Sequence, residues 1–185
     1  MKGSSDKLII SLARIPEDGL EIDETLPREW LTDIPEFSDD QGTHIEGTIR
    51  VRGTLTREGD NLRLNGEVSA ELVTICCRCG ETIRYPLSSS FDVVLIHGRE
   101  EVSAEERELM AEEMAEAYFE GDEVDLNPFF REEIMLQAPF QPLCRPDCAG
   151  LCPMCGTNLN TGSCGCKPQE GDPRLAVLKN LKLAN

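Results

Sequence analysis

The stretch Ile45-Glu-Gly-Thr-Ile-Arg-Val-Arg-Gly-Thr-Leu55 decides the fold, because apolar residues or glycines occupy every second position and polar residues lie between them. Successive strand side chains point to opposite faces, so the pattern predicts a strand with one buried and one solvated face. The alternation returns over residues 62–72 and, interrupted by Pro86 and three serines, over residues 83–95. A turn signal at residues 58–61 separates the first two runs. The sequence therefore predicts a three-stranded antiparallel meander with one buried face.

The segments before the meander are shorter. Residues 8–12 form an apolar run, residues 20–23 alternate, and Pro16-Glu-Asp-Gly19 between them is a turn signal, so we expect a pair of strands. Residues 27–40 carry two prolines and scattered acids and are predicted to be a loop.

Three helices are predicted after or beside the sheet. Residues 103–120 begin with Ser103 and Glu106 in the form of a capping box. A second helix begins with Asn127 as the cap and Pro128 at its first position, and ends before Pro139. A third covers residues 171–183, where leucines recur at helical spacing.

The predicted fold class is therefore α+β. We expect an antiparallel β-sheet meander within a sheet of four to six strands, two or three packed helices and a small cysteine-rich zinc-binding segment. The predicted division is residues 1–140 for the sheet and helices, 141–168 for the cysteine-rich zinc segment, and 169–185 for a C-terminal helix.

Cysteine spacing carries the main chemical signal. Six of the nine cysteines lie between Cys144 and Cys166, and a further Cys-x-x-Cys pair, Cys76 with Cys79, lies upstream. Two thiolates three residues apart and followed by glycine can face one ion at about 2.3 Å. The upstream pair falls at the predicted turn between the second and third strands of the meander. A turn of this kind suits zinc, whereas a redox thiol needs the N-terminus of a helix.

A disulfide framework is the other interpretation of nine cysteines, and it needs an oxidising compartment. The N-terminus has no apolar stretch typical of a signal peptide, and no run approaches the roughly 18 apolar residues of a membrane span. We therefore expect a cytoplasmic protein with reduced, metal-bound thiols.

Eight cysteines are expected to bind zinc in two tetrahedral sites. Cys77 is set aside and predicted to be a small buried hydrophobic residue, because adjacent cysteines do not easily bind one ion in such a turn. The expected groups are Cys152 and Cys155 with Cys164 and Cys166, and Cys144 and Cys148 with Cys76 and Cys79. A single site drawn from the six C-terminal cysteines, with the upstream pair free of metal, stays open as the alternative.

The net charge and the lack of catalytic motifs limit the kinds of function that we expect of this protein. The net charge is −17, which opposes binding to a phosphate backbone. Residues 98–133 hold fourteen acidic and three basic residues, whereas residues 141–185 hold three acidic and five basic ones. No phosphate-binding glycine loop occurs, and neither His44 nor His97 has a nucleophile at a suggestive spacing. We expect no enzymatic activity, no small-molecule substrate and no membrane contact.

Several motifs together resemble the YceD family, bacterial proteins with plastid relatives that are named for the accumulation of large-subunit ribosomal RNA. They are Cys76-Cys-Arg-Cys79-Gly, Asp125-Leu-Asn-Pro, Gly150-Leu-Cys-Pro-Met-Cys-Gly and Asp172-Pro-Arg-Leu-Ala, in that order. The resemblance implies a role in supporting large ribosomal RNA or large-subunit assembly, and it supplies no catalytic residues. The acidic charge and the lack of a histidine or carboxylate site favour a non-enzymatic ribosome-biogenesis factor over a hydrolase or nuclease that acts on RNA.

Two partner classes follow from these expectations. A ribosomal protein or an assembly factor would bind the zinc-stabilised C-terminal segment, attracted by the acidic body. The alternative is an RNA-binding or RNA-processing zinc protein that contacts RNA through Lys167, Arg174, Lys179 and Lys182. Four basic residues on so acidic a chain would give weak, salt-sensitive affinity.

Overall fold

The computed structural model describes residues 5–37, 42–99 and 116–166. Seven strands and one α-helix lie in these ranges, with four short 3₁₀ turns at Ser5–Leu8, Leu12–Arg14, Arg28–Leu31 and Pro35–Phe37. The elements are β1 (Ile9–Ser11), β2 (Leu20–Pro27), β3 (His44–Glu58), β4 (Asn61–Ile75), β5 (Thr82–His97), β6 (Glu116–Phe119), β7 (Glu123–Asp125) and α1 (Asn127–Gln137).

The main sheet has five strands in the order β2-β3-β4-β5-β6. The first four are antiparallel, and the predicted meander of β3, β4 and β5 is confirmed. The last pair, β5 with β6, is parallel, so the sheet is mixed rather than purely antiparallel. Apolar residues of alternate positions fill one face, and Ile49, Val51, Leu55, Leu64 and Leu95 are fully buried there.

An irregularity in β3 leaves this buried face intact. Glu46 lies opposite Glu71 and Arg50 lies opposite Ser69, so β3 holds two more residues than β4 between these pairs. Gly47 takes a φ of +76°, a conformation open to glycine, within the extra segment. Because the offset is an even number of residues, Ile45 before it and Val51 after it both face the core.

Helix α1 packs closely on the sheet over a glycine. A Cβ atom built on Gly66 would lie 2.4 Å from Cζ of Phe91 and 2.9 Å from Cε1 of Phe130. The Phe91 and Phe130 rings meet edge to face, with centroids 5.1 Å apart. Glycine at this position therefore lets the helix approach, and the helix leads directly into the cysteine-rich segment.

The predicted pairing of the first two strands is wrong. β1 pairs with β7, placing Ile10 opposite Val124, whereas β2 pairs along its length with β3. The turn signal at residues 16–19 marks where the chain reverses, but it does not determine which strand lies alongside. Ile10 and Val124 are both buried, so the core determines the partner of β1.

The predicted loop over residues 27–40 contributes to the core in its described part, residues 27–37. It forms two 3₁₀ turns, and four of its apolar side chains are buried: Trp30, Leu31, Ile34 and Phe37. The indole Nε1 of Trp30 donates a 2.8 Å hydrogen bond to Oδ1 of Asn127. This bond connects the segment to the start of α1.

The helix predictions have mixed outcomes. The helix starting near Pro128 is confirmed, although Leu126 occupies the cap position and Asn127 is used for the bond to Trp30. Of the helix predicted over 103–120, residues 103–115 lie outside the described ranges, and residues 116–119 form β6. Ala117 and Phe119 alternate toward the core there, so that end of the helix prediction is wrong. The helix predicted over 171–183 also lies outside the described ranges, so the part of the chain that is described holds one α-helix instead of two or three.

Candidate metal centres

The turn between β4 and β5 presents two sulfur atoms in one direction. The N–H of Gly80 donates to the carbonyl of Cys76 at 2.9 Å, and the N–H of Cys76 donates to the carbonyl of Glu81 at 2.8 Å. Gly80 has a φ of +73°, which closes the turn without strain. We call this segment, Cys76 to Glu81, the inner turn.

A second turn has the same construction 76 residues later along the chain. Gly156 N–H donates to the carbonyl of Cys152, and Cys152 N–H donates to the carbonyl of Thr157, both at 2.8 Å. Gly156 has a φ of +74°. The sequence Cys-x-x-Cys-Gly thus produces one backbone geometry twice, and we call Cys152 to Thr157 the outer turn.

Four sulfurs meet at the inner turn to form what we call the inner centre. The Sγ atoms of Cys76, Cys79, Cys144 and Cys148 all lie within 4.8 Å of one another. Two of the separations are 3.8 Å, between Cys76 and Cys148, and 3.6 Å, between Cys79 and Cys144. A tetrahedron of sulfurs at about 2.3 Å from an ion has edges of roughly 3.8 Å. The sulfurs therefore already have the spacing of a tetrahedral thiolate site.

The outer turn carries the second group, which we call the outer centre. The Sγ atoms of Cys152, Cys155, Cys164 and Cys166 also lie within 4.8 Å of one another. This centre is more accessible, because Cys155 and Cys166 are exposed while only Cys152 is buried. The two groups of four are the ones that the spacing indicated.

The thiols within each centre differ in pKa. Burial alone would raise the pKa of Cys76, but hydrogen bonds from the backbone of Cys144, Arg78 and Cys79 lower it to about 6. Burial and the neighbouring Cys148 raise the pKa of Cys144 to about 12.

The outer centre shows the same difference in pKa between its thiols. The hydroxyl and N–H of Thr157 lower the pKa of Cys155 to about 6. Cys155 in turn raises the pKa of Cys166 to about 12, with burial adding to the effect. Four thiolates so close together repel one another, and a divalent cation would relieve that repulsion.

The donor set fits a soft or borderline metal. All nine cysteines are free thiols, and the 3.6 Å and 3.8 Å sulfur separations of the inner centre are far beyond a disulfide bond. Four sulfurs in tetrahedral arrangement are typical of zinc or iron–sulfur sites. Either centre could therefore hold a metal ion, with Cys76, Cys79, Cys144 and Cys148 as one set of ligands and Cys152, Cys155, Cys164 and Cys166 as the other.

Cys77 corrects one prediction. Its side chain is exposed, not buried, and it belongs to neither group. Because Cys77 is not among the four sulfurs that the segment around Cys144 and Cys148 covers, its side chain stays open to solvent. The backbone N–H of Cys77 donates a 2.9 Å hydrogen bond to the carbonyl of Pro142. This bond connects the inner turn to residues 142–166, which we call the tail.

The histidines lie away from both centres. His44 begins β3 opposite Val73, and the His97 ring lies 3.2 Å from the carbonyl of Gly121 and edge-on to Phe119. Neither appears in a metal-ligating group of the described residues. The four basic residues proposed for RNA contact fall in residues 167–185, outside the described ranges.

Sequence reasoning missed the side chains that surround the inner centre. Asn160 Nδ2 lies 3.4 Å from Sγ of Cys148, and Arg78 Nη1 donates a 3.0 Å hydrogen bond to the carbonyl of Cys148. The available signal was Gly-Thr-Asn-Leu-Asn, directly after Cys155. Asparagine and glycine are common in any loop, so the pattern gave no indication of contact with a sulfur twelve residues away.

Comparison with known proteins places these cysteines in a family. The profile described as "Large ribosomal RNA subunit accumulation protein YceD" matches residues 64–182, which include both candidate centres. The chain belongs to the YceD family. The resemblance noted in the sequence is thereby confirmed.

Individual relatives are distant but extend over much of the chain. An uncharacterised protein of Mycobacterium tuberculosis is 29% identical over 178 residues, covering 92% of this chain and 77% of its own length. Two relatives are called "Large ribosomal RNA subunit accumulation protein YCED homolog 1, chloroplastic". The one from Zea mays is 27% identical and covers 71% of this chain and 53% of its own length. The one from Arabidopsis thaliana is 25% identical and covers 81% and 51%.

No solved structure gives a significant match to this YceD-family chain. Within the described ranges, no helix has the length and apolar character needed to cross a membrane.

Proposed function

We propose that this YceD-family protein is a non-enzymatic factor that supports large-subunit ribosomal RNA accumulation during ribosome biogenesis. In this proposal, zinc in the two centres shapes residues 141–166 into a partner-binding surface. The observation that supports it best is the two groups of four sulfurs, each within 4.8 Å of one another, in a family named for the accumulation of large-subunit ribosomal RNA.

The arrangement of the centres favours a structural role for zinc. Each centre offers four protein ligands, which leaves no open coordination position for a substrate or an activated water. The inner centre also joins cysteines 72 residues apart, Cys76 with Cys148. Zinc there would hold the tail against the end of the sheet, and reduced thiols of this kind are typical of a cytoplasmic protein.

A groove beside the inner centre suits an apolar partner segment. It has a volume of about 460 Å³ and lies between the end of α1 and the end of β4. Phe140, which lines the groove, is 97% exposed, and Pro142, whose carbonyl accepts the N–H of Cys77 in the inner turn, lines it too. Exposed aromatic residues next to a groove mark protein interaction sites.

Charge favours a basic ribosomal protein as the occupant of this groove. The net charge of −17 would attract a basic protein and repel RNA phosphates. On the solvated face of the sheet, three arginines are already paired with carboxylates: Arg50 with Asp23, Arg63 with Glu58 and Asp92, and Arg84 with Glu46 and Glu71. These cations are neutralised, which leaves little on that face for a nucleic acid to bind.

The test is affinity purification of the zinc-loaded protein from cells, with nuclease treatment, mass spectrometry and RNA sequencing of the eluate. We expect a large-subunit ribosomal protein or assembly factor to remain bound after nuclease, and to be lost from Phe140→Ser. Tyr118→Ser is the matched control, since Tyr118 is 43% exposed but lies on β6.

The same variants should be tested in cells that lack the wild-type protein. We expect Phe140→Ser to lower the ratio of large-subunit to small-subunit ribosomal RNA and Tyr118→Ser to preserve it. Loss of every bound protein after nuclease, with RNA enriched before it, would contradict the proposal and favour the RNA-binding alternative. Metal-dependent cleavage of a ribosomal RNA precursor would contradict the non-enzymatic role.

A further inference from the structure

A short two-stranded segment connects the two centres. The chain leaves the inner centre at Cys148 and enters the outer turn at Cys152. Leu151 lies opposite Asn158 in an antiparallel bridge, and Leu159 N–H donates a 2.9 Å hydrogen bond to the carbonyl of Gly150. Residues 149–151 and 158–160 therefore run side by side, and we call them the stem of the outer turn.

The stem lies directly on the inner turn. Leu151 N–H donates to the carbonyl of Arg78 at 3.0 Å, while the guanidinium of Arg78 donates to the carbonyl of Cys148. Gly150 has a φ of +74°, and a Cβ built there would lie 3.1 Å from the carbonyl oxygen of Arg78. The absence of a side chain at residue 150 lets the two backbones approach.

Two asparagines of the stem extend the contact to a sulfur of the inner centre. Asn160 Oδ1 accepts from the N–H of Ala149 at 2.8 Å, which leaves its Nδ2 pointing at Cys148 Sγ at 3.4 Å. Asn158 holds Asn160 in this position, since its Oδ1 accepts from both nitrogens of Asn160 at 3.0 Å and 2.9 Å. Asn158 Nδ2 also donates to Oε1 of Glu81, at the end of the inner turn, at 2.9 Å. We call Asn158 and Asn160 the asparagine bridge.

We infer that the asparagine bridge couples the two centres, so that zinc binds them with positive cooperativity. The inference rests on the proposed function, because it requires zinc in both centres. Zinc in the outer centre would join Cys152 and Cys155 to Cys164 and Cys166, and would so hold the two strands of the stem side by side. With the stem held in this way, Asn160 would keep its position beside Cys148 and its hydrogen bond to that sulfur.

The coupling must act in both directions. Zinc in the inner centre fixes Cys148 and the inner turn, to which the stem is bonded, so it favours the closed outer turn by the same factor. Outer-shell partners of metal ligands typically contribute about 10- to 100-fold to metal affinity. The asparagine bridge is therefore a positioning element that links the occupancy of the two centres.

Native mass spectrometry of the full chain during titration with zinc tests this directly, because it counts the apo, one-zinc and two-zinc species. Independent sites of equal affinity hold about half of the protein as the one-zinc species at half-saturation, and tenfold coupling lowers that to about a quarter. Sites of unequal affinity without coupling would raise the fraction above a half. A one-zinc fraction below a half is thus specific to positive cooperativity.

Two variants distinguish an effect of the asparagine bridge on zinc binding from a general loss of stability. Asn160→Ala removes every side-chain bond, whereas Asn160→Asp keeps oxygen acceptors for Ala149, loses the N–H donors, including the one to Cys148, and adds a negative charge. Both should raise the one-zinc fraction to a half or more. Asn65→Ala is the matched control, because Asn65 is exposed on β4 and has no contact with either centre.

The one-zinc fractions of these four proteins show whether the two centres are coupled through the asparagine bridge. A one-zinc fraction below a half in the wild-type protein and in Asn65→Ala, raised in both Asn160 variants, supports the coupling. Two bound zinc ions with a one-zinc fraction that is the same in all four proteins would overturn the coupling and leave the proposed zinc binding intact. No bound zinc in any of them would overturn both.

Discussion

If the two centres hold zinc as proposed, its removal should unfold the tail and leave the sheet folded, because the two parts are held by different interactions. The buried cysteines Cys76, Cys79 and Cys148 form a cluster of their own, separate from the apolar core between the sheet and α1. Within the tail, Leu143 and Cys144 are the apolar residues that pack on this cluster, and both are only partly buried. The core therefore does not depend on the metal centres.

The magnitude follows from the contacts that remain without metal. Apart from sulfur contacts, four hydrogen bonds join the tail to the inner turn: Cys77 to Pro142, Leu151 to Arg78, Arg78 to Cys148 and Asn158 to Glu81. At about 0.5–1.5 kcal/mol each they contribute roughly 2–6 kcal/mol. Ordering the 25 residues from Pro142 to Cys166 costs about 1–2 kcal/mol per residue for the backbone alone. In the proposed zinc-bound state, each structural zinc ion would contribute on the order of 10 kcal/mol or more, which exceeds the contribution of these four hydrogen bonds.

Hydrogen exchange followed by mass spectrometry measures the unfolding of each segment of the chain separately. After treatment with a strong chelator, we expect peptides covering residues 142–166 to exchange at the rate of an unstructured chain. Peptides from β3, β4 and α1 should keep their protection, and the fluorescence of buried Trp30 should stay unchanged. Cys77→Ser serves as the control and should behave as the wild-type protein does, since Cys77 lies outside both groups of sulfurs. Tail protection that survives complete metal removal, or loss of protection in the sheet at the same chelator concentration, would refute this reasoning.

Three further perturbations have defined outcomes. Gly66→Ala should lower the free energy of unfolding by about 1–3 kcal/mol, because its Cβ would overlap the Phe91 ring; a denaturant titration equal to that of the wild-type protein would contradict this. Asn127→Ala should cost about 1–3 kcal/mol by leaving the buried indole N–H of Trp30 without its acceptor, and a thermal melt would reveal it. Acidification should release zinc, because metal binding needs thiolates and one thiol in each centre has its pKa lowered only to about 6 while another is raised to about 12. Retained metal, measured after dialysis, should thus be high at pH 7–8 and fall as the pH is lowered, and retention that rises on acidification would show the sign to be wrong.

Local patterns in the sequence predicted the parts of the fold that local physics determines. The strict alternation from Ile45 to Leu55 is sufficient for a strand and its buried face, and Cys-x-x-Cys-Gly is sufficient for a turn with two parallel sulfurs. Strand partners are not determined locally, so β1 was assigned to the wrong neighbour. The four residues of β6 lie in an acidic segment that also fits a helix, and their pairing with β5 depends on hydrogen bonds to a strand that sequence spacing does not reveal.

The candidate centres were likewise only partly predictable from the sequence. Spacing indicated two sets of four cysteines but left the single-site alternative open, because the inner set joins Cys76 with Cys148, 72 residues apart in the sequence. It was not enough for Cys77, since exposure depends on which side of the turn faces the tail. The contact of Asn160 with Cys148 depends on two segments meeting in the stem, and no local pattern in the sequence predicts it.

The metal content of the purified protein tests the central claim most directly. Elemental analysis of the full chain, prepared without added metal, should find close to two zinc ions per chain in the wild-type protein and in Cys77→Ser. Cys76→Ser should retain about one, because the inner centre loses a ligand while the outer centre keeps all four. One zinc ion per wild-type chain, with the same value in Cys76→Ser, would contradict the claim that zinc joins the tail to the sheet.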